Sequence, residues 1–249
     1  LFVLNKVKEE RYLTTIEDRK HILEQHQFDY LFVIKFTKEV ADLSPEDFIQ
    51  RYIISSCIKH VVCGFDFRFG KANQGTIDLL KQTKQLDVSV IDEVLYRGEK
   101  ISSSRIRHVL QEGNIDDMVS LLGRRYSIHG QVIHGQRIGR TIGFPTANIA
   151  YNAYQLPKNG VYAVKVYRQN EEYLGMCNIG YNPTLQILDS QSVEVFILDF
   201  HEEIYGEELY IEFYHLIREE KAFDSKASLI KQLNQDEQYV KQYFMKSTL

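Results

Sequence analysis

The sequence is poor in cysteine, in long apolar runs and in excess charge, and each shortage excludes a class of protein. Its three cysteines are scattered over 249 residues. We therefore expect neither a disulfide framework nor a Cys-x-x-Cys metal site, and we expect a reducing, cytoplasmic location. The longest apolar run, residues 30–34, is far shorter than the roughly 20 residues that span a bilayer. The net charge of −4 provides no basic field, so we expect neither nucleic acid nor membrane as a partner.

The order of the predicted elements changes near Gly123. Before it, helical patterns alternate with apolar strands at residues 30–36, 60–63 and 88–94, which is typical of a doubly wound parallel sheet. After it, closely spaced strands follow one another from Tyr126, a pattern that favours a small antiparallel barrel with a last helix from about Ser225. We predict two domains, residues 1–122 and 123–249. The first methionine is Met118, so we expect the sequence to be part of a longer product.

Capping residues mark the helix starts in the first half. Thr15 and Ser44 each stand before acidic residues, and Ser44 is followed by a proline, so both positions predict a helix. A further helix is predicted over about residues 74–85, and another after Ser102 to Ser104. The last helix should lay an apolar stripe on the barrel, formed by Leu229, Leu233, Val240 and Phe244.

One stretch of the second half contains the residue types that bind a polyphosphate. Residues 139–149 read GRTIGFPTANI. Glycines allow backbone N–H groups to approach an anion closely, and Arg140 adds a guanidinium. If the segment that follows is extended, Thr146 and Asn148 project to the same face, and their oxygens suit Mg²⁺. On spacing alone, a polar turn between two strands explains the stretch equally well.

These residues resemble the signature of riboflavin kinases, and the likeness continues along most of the chain. Downstream, LPKNGVYA at 156–163, NIGYNPT at 178–184 and VEV at 193–195 follow in the family's order. Upstream, GFDFRFG at 64–70 and ISSSRIR at 101–107 resemble the adenylyltransferase half of the bacterial bifunctional riboflavin kinase/FAD synthetase. The resemblance implies an α/β nucleotidyltransferase-like sheet that lacks its first strands, followed by a β-barrel kinase domain. It also implies that MgATP phosphorylates riboflavin to FMN, and that FMN is adenylylated to FAD.

The resemblance implies a site for each activity. In the kinase half, Glu194 is expected to be the catalytic base, and Arg218 and Phe223 are expected to contact the flavin. The ATP phosphates are expected at Gly139, Arg140, Thr141, Gly143, Pro145, Thr146 and Asn148, with Thr146 and Asn148 holding Mg²⁺. In the adenylyltransferase half, nucleotide and flavin are expected at Gly64, Phe65, Asp66, Phe67, Arg68, Ser103, Ser104 and Arg107.

Several of these residues have a plainer interpretation. Glu194 can be an ordinary glutamate on an exposed strand face, and Arg218 a surface arginine paired with Glu219 or Glu220. The serines before Arg105 can serve only as a helix cap. Asp66 and Arg68 can form a salt bridge within their loop, which contributes little when exposed.

Two departures from the family pattern bear on function. Many family members carry histidine where this chain has Phe196, so any role of that histidine is absent here. The His-x-Gly-His motif of the adenylyltransferase family does not occur, and we expect it to precede Leu1 in a longer product. A kinase with a silent front domain, or a non-catalytic flavin- or nucleotide-binding regulator, therefore stays open. We expect a monomer.

Overall fold

The computed structural model describes residues 11–135, 139–169, 171–181 and 191–246, which fall into two compact units. Residues 20–101 belong to the first unit, and residues 11–19 and 102–246 belong to the second. Helix α1 (Ile16–Gln25) starts where the sequence predicts it. Thr15 Oγ1 accepts from the Asp18 N–H at 3.2 Å, and Asp18 Oδ2 accepts from the Thr15 N–H at 2.8 Å. This reciprocal cap satisfies two N–H groups at the helix start.

The first unit is built around two parallel strands, β1 (His60–Gly64) and β2 (Asp87–Ile91). Its helices pack a small core, and parallel neighbours joined through a helix are the βαβ arrangement predicted from the sequence. In chain order its other elements are α2 (Lys38–Ala41), α3 (Pro45–Phe48), a π-helical turn (Ile49–Ile54), a 3₁₀ turn (Lys71–Asn73), α4 (Ile77–Gln82), and the antiparallel pair β3 (Leu95–Tyr96) and β4 (Glu99–Lys100). The buried core residues are Ile49, Ile53, Phe69, Leu80 and Leu86.

Two predictions for this unit are wrong. Residues 30–36 form no strand, and the side chains of Tyr30 and Phe32 are 80% and 78% exposed. An apolar run supplies side chains for a sheet but not the neighbouring strand that must pair with its backbone, and the described residues provide none for this segment. The strand at β1 is confirmed, but Val62 is 63% exposed, so it is not covered on both faces.

Two short helical segments of the second unit precede its sheet. Helix α5 (Ser103–Glu112) begins at Ser102, whose Oγ accepts from the Arg105 N–H at 3.2 Å, and ends at Gly113 with φ of 78°. A 3₁₀ turn (Ile115–Asp117) leads into α6 (Met118–Leu122), which ends at Gly123 with φ of 71°. Glycine ends both helices because the left-handed conformation is accessible to it at little cost.

The predicted antiparallel barrel is confirmed, and it is closed. Within the described residues its strands are β5 (Tyr126–Ile133), β6 (Ala147–Tyr151), β7 (Gly160–Arg168), β8 (Glu171–Tyr181), β9 (Gln191–Ile197) and β10 (Glu208–Arg218), in the order β10-β5-β6-β9-β8-β7. Alternate side chains fill the interior, as Val193, Val195 and Ile197 do from β9. Helix α7 (Lys226–Lys246) lies on the outside and buries Val240 and Phe244 against a second core.

This second core decides the environment of the other face of β9. It contains Phe144, Val161, Ala163, Met176 and Leu198, with Phe196 packed against it. Glu194 and Phe196 alternate with the interior residues, so they point towards the helix-covered side of the barrel. The face of Glu194 is therefore neither the barrel interior nor open surface.

Candidate active site

A row of aligned residues crosses the outer face of the barrel. In the strand register, Glu194 of β9 stands opposite Asn148 of β6 on one side and opposite Asn178 of β8 on the other. The same row continues through Val161 of β7 to Arg218 of β10. Opposed side chains in antiparallel strands have Cβ atoms about 4.5–5.5 Å apart. The backbone pairing thus places a carboxylate between two amides.

A cavity of about 380 Å³ opens between this row and the start of α7, and we call it the helix-side cavity. Phe223 lies beside Arg218 in its lining, and the polar side chains of the lining are Thr146, Asn178, Glu194, Arg218, Glu220 and Lys221. The Arg218 guanidinium carbon is 5.7 Å from the centre of the Phe223 ring. Much of the remaining lining is apolar and includes Phe144, Met176, Phe196, Leu229 and Leu233. An apolar cavity with a few convergent polar groups is the usual form of a small-molecule site.

A second cavity, also of about 380 Å³, lies beside the segment between β9 and β10, and we call it the loop-side cavity. Arg140, Pro145, His201 and Glu203 line it. Thr146 lines both cavities, and its hydroxyl donates to Glu194 Oε2 at 3.3 Å. Thr146 therefore stands between the two cavities, beside the Glu194 carboxylate.

The glycine stretch forms a tight turn between these cavities. Residues Gly139–Ile142 make one 3₁₀ turn, and Gly143 has φ of 85°. A Cβ added at Gly139 would lie 2.1 Å from the carbonyl oxygen of Phe144, which is backbone and cannot move aside easily. A Cβ at Gly135 would lie 2.1 Å from Asn148 Nδ2. Close approach thus requires glycine at 135 and 139, while the positive φ favours glycine at 143.

Arg140 already has a carboxylate partner. Its Nη2 is 2.9 Å from Glu203 Oε1, and its guanidinium carbon is 5.8 Å from the centre of the Tyr205 ring. The hydrogen bond with Glu203 raises the pKa of Arg140. Lys226 Nζ donates to the carbonyl oxygen of Thr141 at 3.1 Å, which ties the turn to the start of α7.

Arg218 forms its ion pair with Asp236 of α7, and not with Glu219 or Glu220, the partners that the sequence suggests. Its Nε and Nη2 are each 2.9 Å from Oδ2 of Asp236, whose side chain is only 2% exposed. The carboxylate of Glu219 binds Lys158 instead, and that of Glu220 accepts from Asn159 Nδ2 at 3.2 Å. The surface-pair interpretation of Arg218 is therefore wrong, because its ionic partner is buried inside the domain.

The sequence indicates two of these residues only weakly. Asn178 lies within a stretch quoted for its family resemblance, but nothing in the sequence shows that it stands opposite Glu194. Asp236 lies three residues after Leu233 and four before Val240, on the predicted apolar stripe of α7. An acid at such a position is costly to bury unless it is paired, so it is a signal for a cation in the core.

The candidate adenylyltransferase residues fall into both units. Asp66 forms a salt bridge with Lys100, and this hydrogen bond lowers the pKa of Asp66. Asp66 thus pairs with Lys100, and the alternative salt bridge with Arg68 is not formed. Lys100 Nζ also lies 4.4 Å from the centre of the Phe65 ring. Phe67 stacks on Phe69 with ring centres 5.6 Å apart, and Gly64 ends β1.

The other candidates of this half surround the start of α5. Ser103 and Ser104 are its first two residues, after the capping Ser102. Arg107 Nη2 donates to the Arg11 carbonyl oxygen at 3.4 Å. Capping by Ser102 is confirmed, and the binding of nucleotide at this helix start stays a prediction.

Fold and site together define a phosphotransferase barrel of the riboflavin kinase type that follows a nucleotidyltransferase-like unit. The riboflavin kinase family profile matches residues 122–244, and the FAD synthetase profile matches residues 1–105. The bifunctional riboflavin kinase/FMN adenylyltransferase of Listeria monocytogenes is 42% identical over 248 residues, covering 98% of this chain and 79% of that protein. The Bacillus subtilis enzyme of the same name is also 42% identical, with 97% and 78% covered. The chain belongs to this bifunctional family.

A solved structure supports the whole-chain likeness. A crystal structure described as a macrolide-efflux protein from Streptococcus pneumoniae has a TM-score of 0.85 and 33% identity, covering 93% of this chain and 76% of that one. That description names a different activity from those in the names of the Listeria and Bacillus enzymes. Within the described residues of the present chain, no helix has the length and apolarity that crossing a bilayer requires.

Proposed function

We propose that residues 123–249 transfer the γ-phosphoryl group of ATP to the primary ribityl hydroxyl of riboflavin, giving FMN. Residues 1–122 then transfer AMP from a second ATP to FMN, giving FAD and pyrophosphate. Both family profiles in one chain, and relatives that carry both activities in their names, support this pair of reactions.

One observation carries the kinase assignment: two cavities of similar size share Thr146 as a lining residue, and its hydroxyl binds the only carboxylate of the row, Glu194. Phosphoryl transfer needs an alcohol and a phosphate brought together in line, and little covalent help from the protein. The helix-side cavity, with Phe223 and Arg218, suits an aromatic ring system with carbonyl oxygens at its edge. The loop-side cavity, beside the glycine turn and Arg140, suits a nucleotide. The reacting atoms then meet at Glu194.

Glu194 acts as the general base in this scheme. A primary alcohol does not ionise near neutral pH, so its proton has to leave as the phosphoryl group arrives. The hydroxyl of Thr146 donates to Glu194 Oε2 at 3.3 Å, which orients the carboxylate. Asn148 and Asn178 stand on either side and offer amide groups to the ribityl chain or the phosphate.

The residues present fit a magnesium ion. Thr146 and Asn148 supply a hydroxyl and an amide oxygen next to a carboxylate, and these are hard oxygen ligands. No cluster of three or more His, Cys, Asp or Glu side chains within the described residues could hold a metal by itself, which suits an ion held largely by phosphate oxygens and water. When bound, Mg²⁺ would neutralise charge on the transferring phosphates. The chain's own part is to hold those oxygens in place, and the empty side-chain position at Gly135 leaves room for Asn148.

For the adenylyltransferase half, we propose that nucleotide and flavin bind at Gly64, Phe65, Asp66, Phe67, Arg68, Ser103, Ser104 and Arg107. The helix start at Ser103 offers N–H groups to phosphate, and the aromatic residues after β1 offer rings for stacking. We further propose a cytoplasmic monomer without nucleic acid or membrane partners. Three cysteines with no disulfide, of which Cys63 and Cys177 are buried, suit a reducing compartment.

The experiment that tests this proposal follows both products in one assay. The purified chain is incubated with riboflavin, ATP and Mg²⁺, and FMN and FAD are separated by chromatography. We expect FMN to form first, and to form only traces after chelation of Mg²⁺. FMN offered with ATP should give FAD and pyrophosphate. FMN without FAD would leave a kinase with a silent front domain, and binding of riboflavin without either product would leave a non-catalytic regulator.

A further inference from the structure

The arginine of the helix-side cavity belongs to a hydrogen-bonded chain that reaches into α7. Arg218 contacts Asp236 Oδ2 through two nitrogens at 2.9 Å each. The other oxygen of this carboxylate accepts from Gln232 Nε2 at 2.7 Å, and Gln232 Oε1 in turn accepts from Lys221 Nζ. Arg218 and Lys221 both line the helix-side cavity, whereas Asp236 is 2% exposed.

Burial makes the pairing of Asp236 obligatory. An ionised carboxylate removed from water is costly unless each oxygen finds strong donors. Here both oxygens do, and a guanidinium meets a carboxylate more rigidly than an ammonium would because its donors are fixed in one plane. The result is an arginine side chain whose orientation is set before any ligand enters.

The same contacts leave part of the guanidinium available. A guanidinium carries five N–H donors. Asp236 takes one from Nε and one from Nη2, and the Glu219 carbonyl oxygen accepts from Nη1 at 3.2 Å. The remaining two donors have no acceptor within the described residues, and Arg218 is still 17% exposed at the cavity. Two N–H groups from one plane match a carbonyl edge of a planar heterocycle.

We infer that Asp236, held by Gln232, is a positioning residue that fixes Arg218 for recognition of the flavin ring. This inference rests on the proposed kinase function and names a role outside the cavity for a residue that never touches the substrate. An arginine side chain has many rotamers, and a ligand that has to select one of them binds more weakly. Asp236 removes that cost in the free protein. Its loss should therefore weaken riboflavin binding and leave the chemistry at Glu194 intact.

The test compares Asp236→Asn with Glu237→Gln in the full chain. Glu237 is the neighbouring acid on α7, and it pairs with Lys241 at 2.8 Å. Riboflavin affinity is read from quenching of flavin fluorescence, and turnover from FMN formation. For Asp236→Asn we expect the riboflavin Kd and KM to rise about 10-fold, equivalent to about 1.4 kcal/mol. We expect kcat and the KM for ATP to stay within about twofold, and Glu237→Gln to leave all four constants near wild type.

A double-mutant cycle separates positioning from general destabilisation. Arg218→Lys keeps a cation opposite Asp236 and should itself fold and raise the riboflavin Kd, since the planar fork is lost. In that background Asp236→Asn should add little to the Kd, because the side chain that it positions is gone. Additive effects in the cycle, or an equal fall of kcat and of affinity, would overturn the inference. If Asp236→Asn does not fold, the Arg218→Lys variant provides the test, and an unchanged riboflavin Kd in that variant would overturn the inference.

The same measurements keep this inference apart from the proposed function. A wild-type chain that makes FMN while Asp236→Asn binds riboflavin normally would leave the kinase standing and remove the positioning role. A wild-type chain that neither binds nor phosphorylates riboflavin would remove both.

Discussion

Replacing Glu194 by glutamine is the sharpest test of the proposed chemistry. Glutamine has nearly the same shape, and its carbonyl oxygen can still accept from the Thr146 hydroxyl, which is 3.3 Å from Glu194 Oε2. The side chain stays between Asn148 and Asn178, because the strand register fixes its position. What is lost is the negative charge of the carboxylate, and with it the basicity. General-base help is typically worth about 10²–10⁴-fold, or about 2.7–5.4 kcal/mol in the activation free energy.

We therefore expect Glu194→Gln to lower kcat for FMN formation by roughly 10²–10⁴-fold, with the Kd values of riboflavin and ATP little changed. The free energy of unfolding should hold or rise slightly, since a partly buried charge is removed. Steady-state kinetics combined with equilibrium binding of riboflavin measures both. Glu172→Gln is the matched control, because Glu172 lies on neighbouring strand β8 and pairs with Lys165 away from both cavities. Its turnover should equal that of wild type.

Two results would refute the reasoning. Surviving turnover in Glu194→Gln would mean that solvent or another group accepts the proton. A collapse of riboflavin affinity with unchanged kcat would mean that Glu194 only positions the substrate.

Three further predictions concern the nucleotide loop and a buried cluster. Gly139→Ala should abolish ATP binding and FMN formation, because its Cβ would lie 2.1 Å from a backbone carbonyl oxygen. Glu203→Gln should tighten ATP binding about two- to fivefold by calorimetry, since the phosphates no longer compete with a carboxylate for Arg140, and the gain should shrink at high salt. Burial raises the pKa of Asp18, but hydrogen bonds led by the one with His129 outweigh it and lower that pKa to about 2. The hydrogen bond with Asp18 raises the pKa of His129. The melting temperature should therefore be highest between about pH 4 and 6.5, falling towards acid as Asp18 protonates and towards alkali as His129 loses its proton.

Each of these predictions has an outcome that contradicts it. Normal ATP affinity in Gly139→Ala would mean that the turn relaxes without cost to the site. Unchanged ATP affinity in Glu203→Gln would mean that nucleotide phosphate never reaches Arg140. For the cluster, His129→Gln should remove the fall in melting temperature at alkaline pH, and Asp18→Asn should remove the fall at acid pH. If either fall persists after the corresponding substitution, other groups cause it.

The barrel could be predicted from the sequence because the patterns that indicate its strands each lie within a few neighbouring residues. Strand-length runs, alternation and turn residues repeat along residues 126–217, and closure follows when such strands have no helices between them. Glu194 and Arg218 could be identified as site residues from the family motifs around them. The structure brings both to one cavity, while their individual roles stay predictions.

What could not be predicted depends on partners far along the chain. The apolar residues 30–36 satisfy every local criterion for a buried strand. A strand also needs a neighbouring strand to pair with its backbone, and within the described residues this segment has none and is exposed. Asn178 faces Glu194 only through register between β8 and β9. The buried partner of Arg218 is Asp236, which lies 18 residues further on, inside helix α7. Residues 182–184, which are part of the NIGYNPT motif, lie outside the described residues.

The alternation along β9 has a consequence for how this domain can change. Val193, Val195 and Ile197 face the barrel interior, while Glu194 and Phe196 face the cavity. The loop-side cavity crosses this division, because Val195 and Ile197 also line it. Glu194 and Phe196 thus lie beside the proposed riboflavin site, while Val195 and Ile197 are at once core residues and neighbours of the proposed nucleotide site. Tolerance of folding to substitution should therefore rise and fall along β9 with a period of two. Tolerance of turnover should show no such period, because exchanges on one face of the strand act on riboflavin and exchanges on the other face act on ATP.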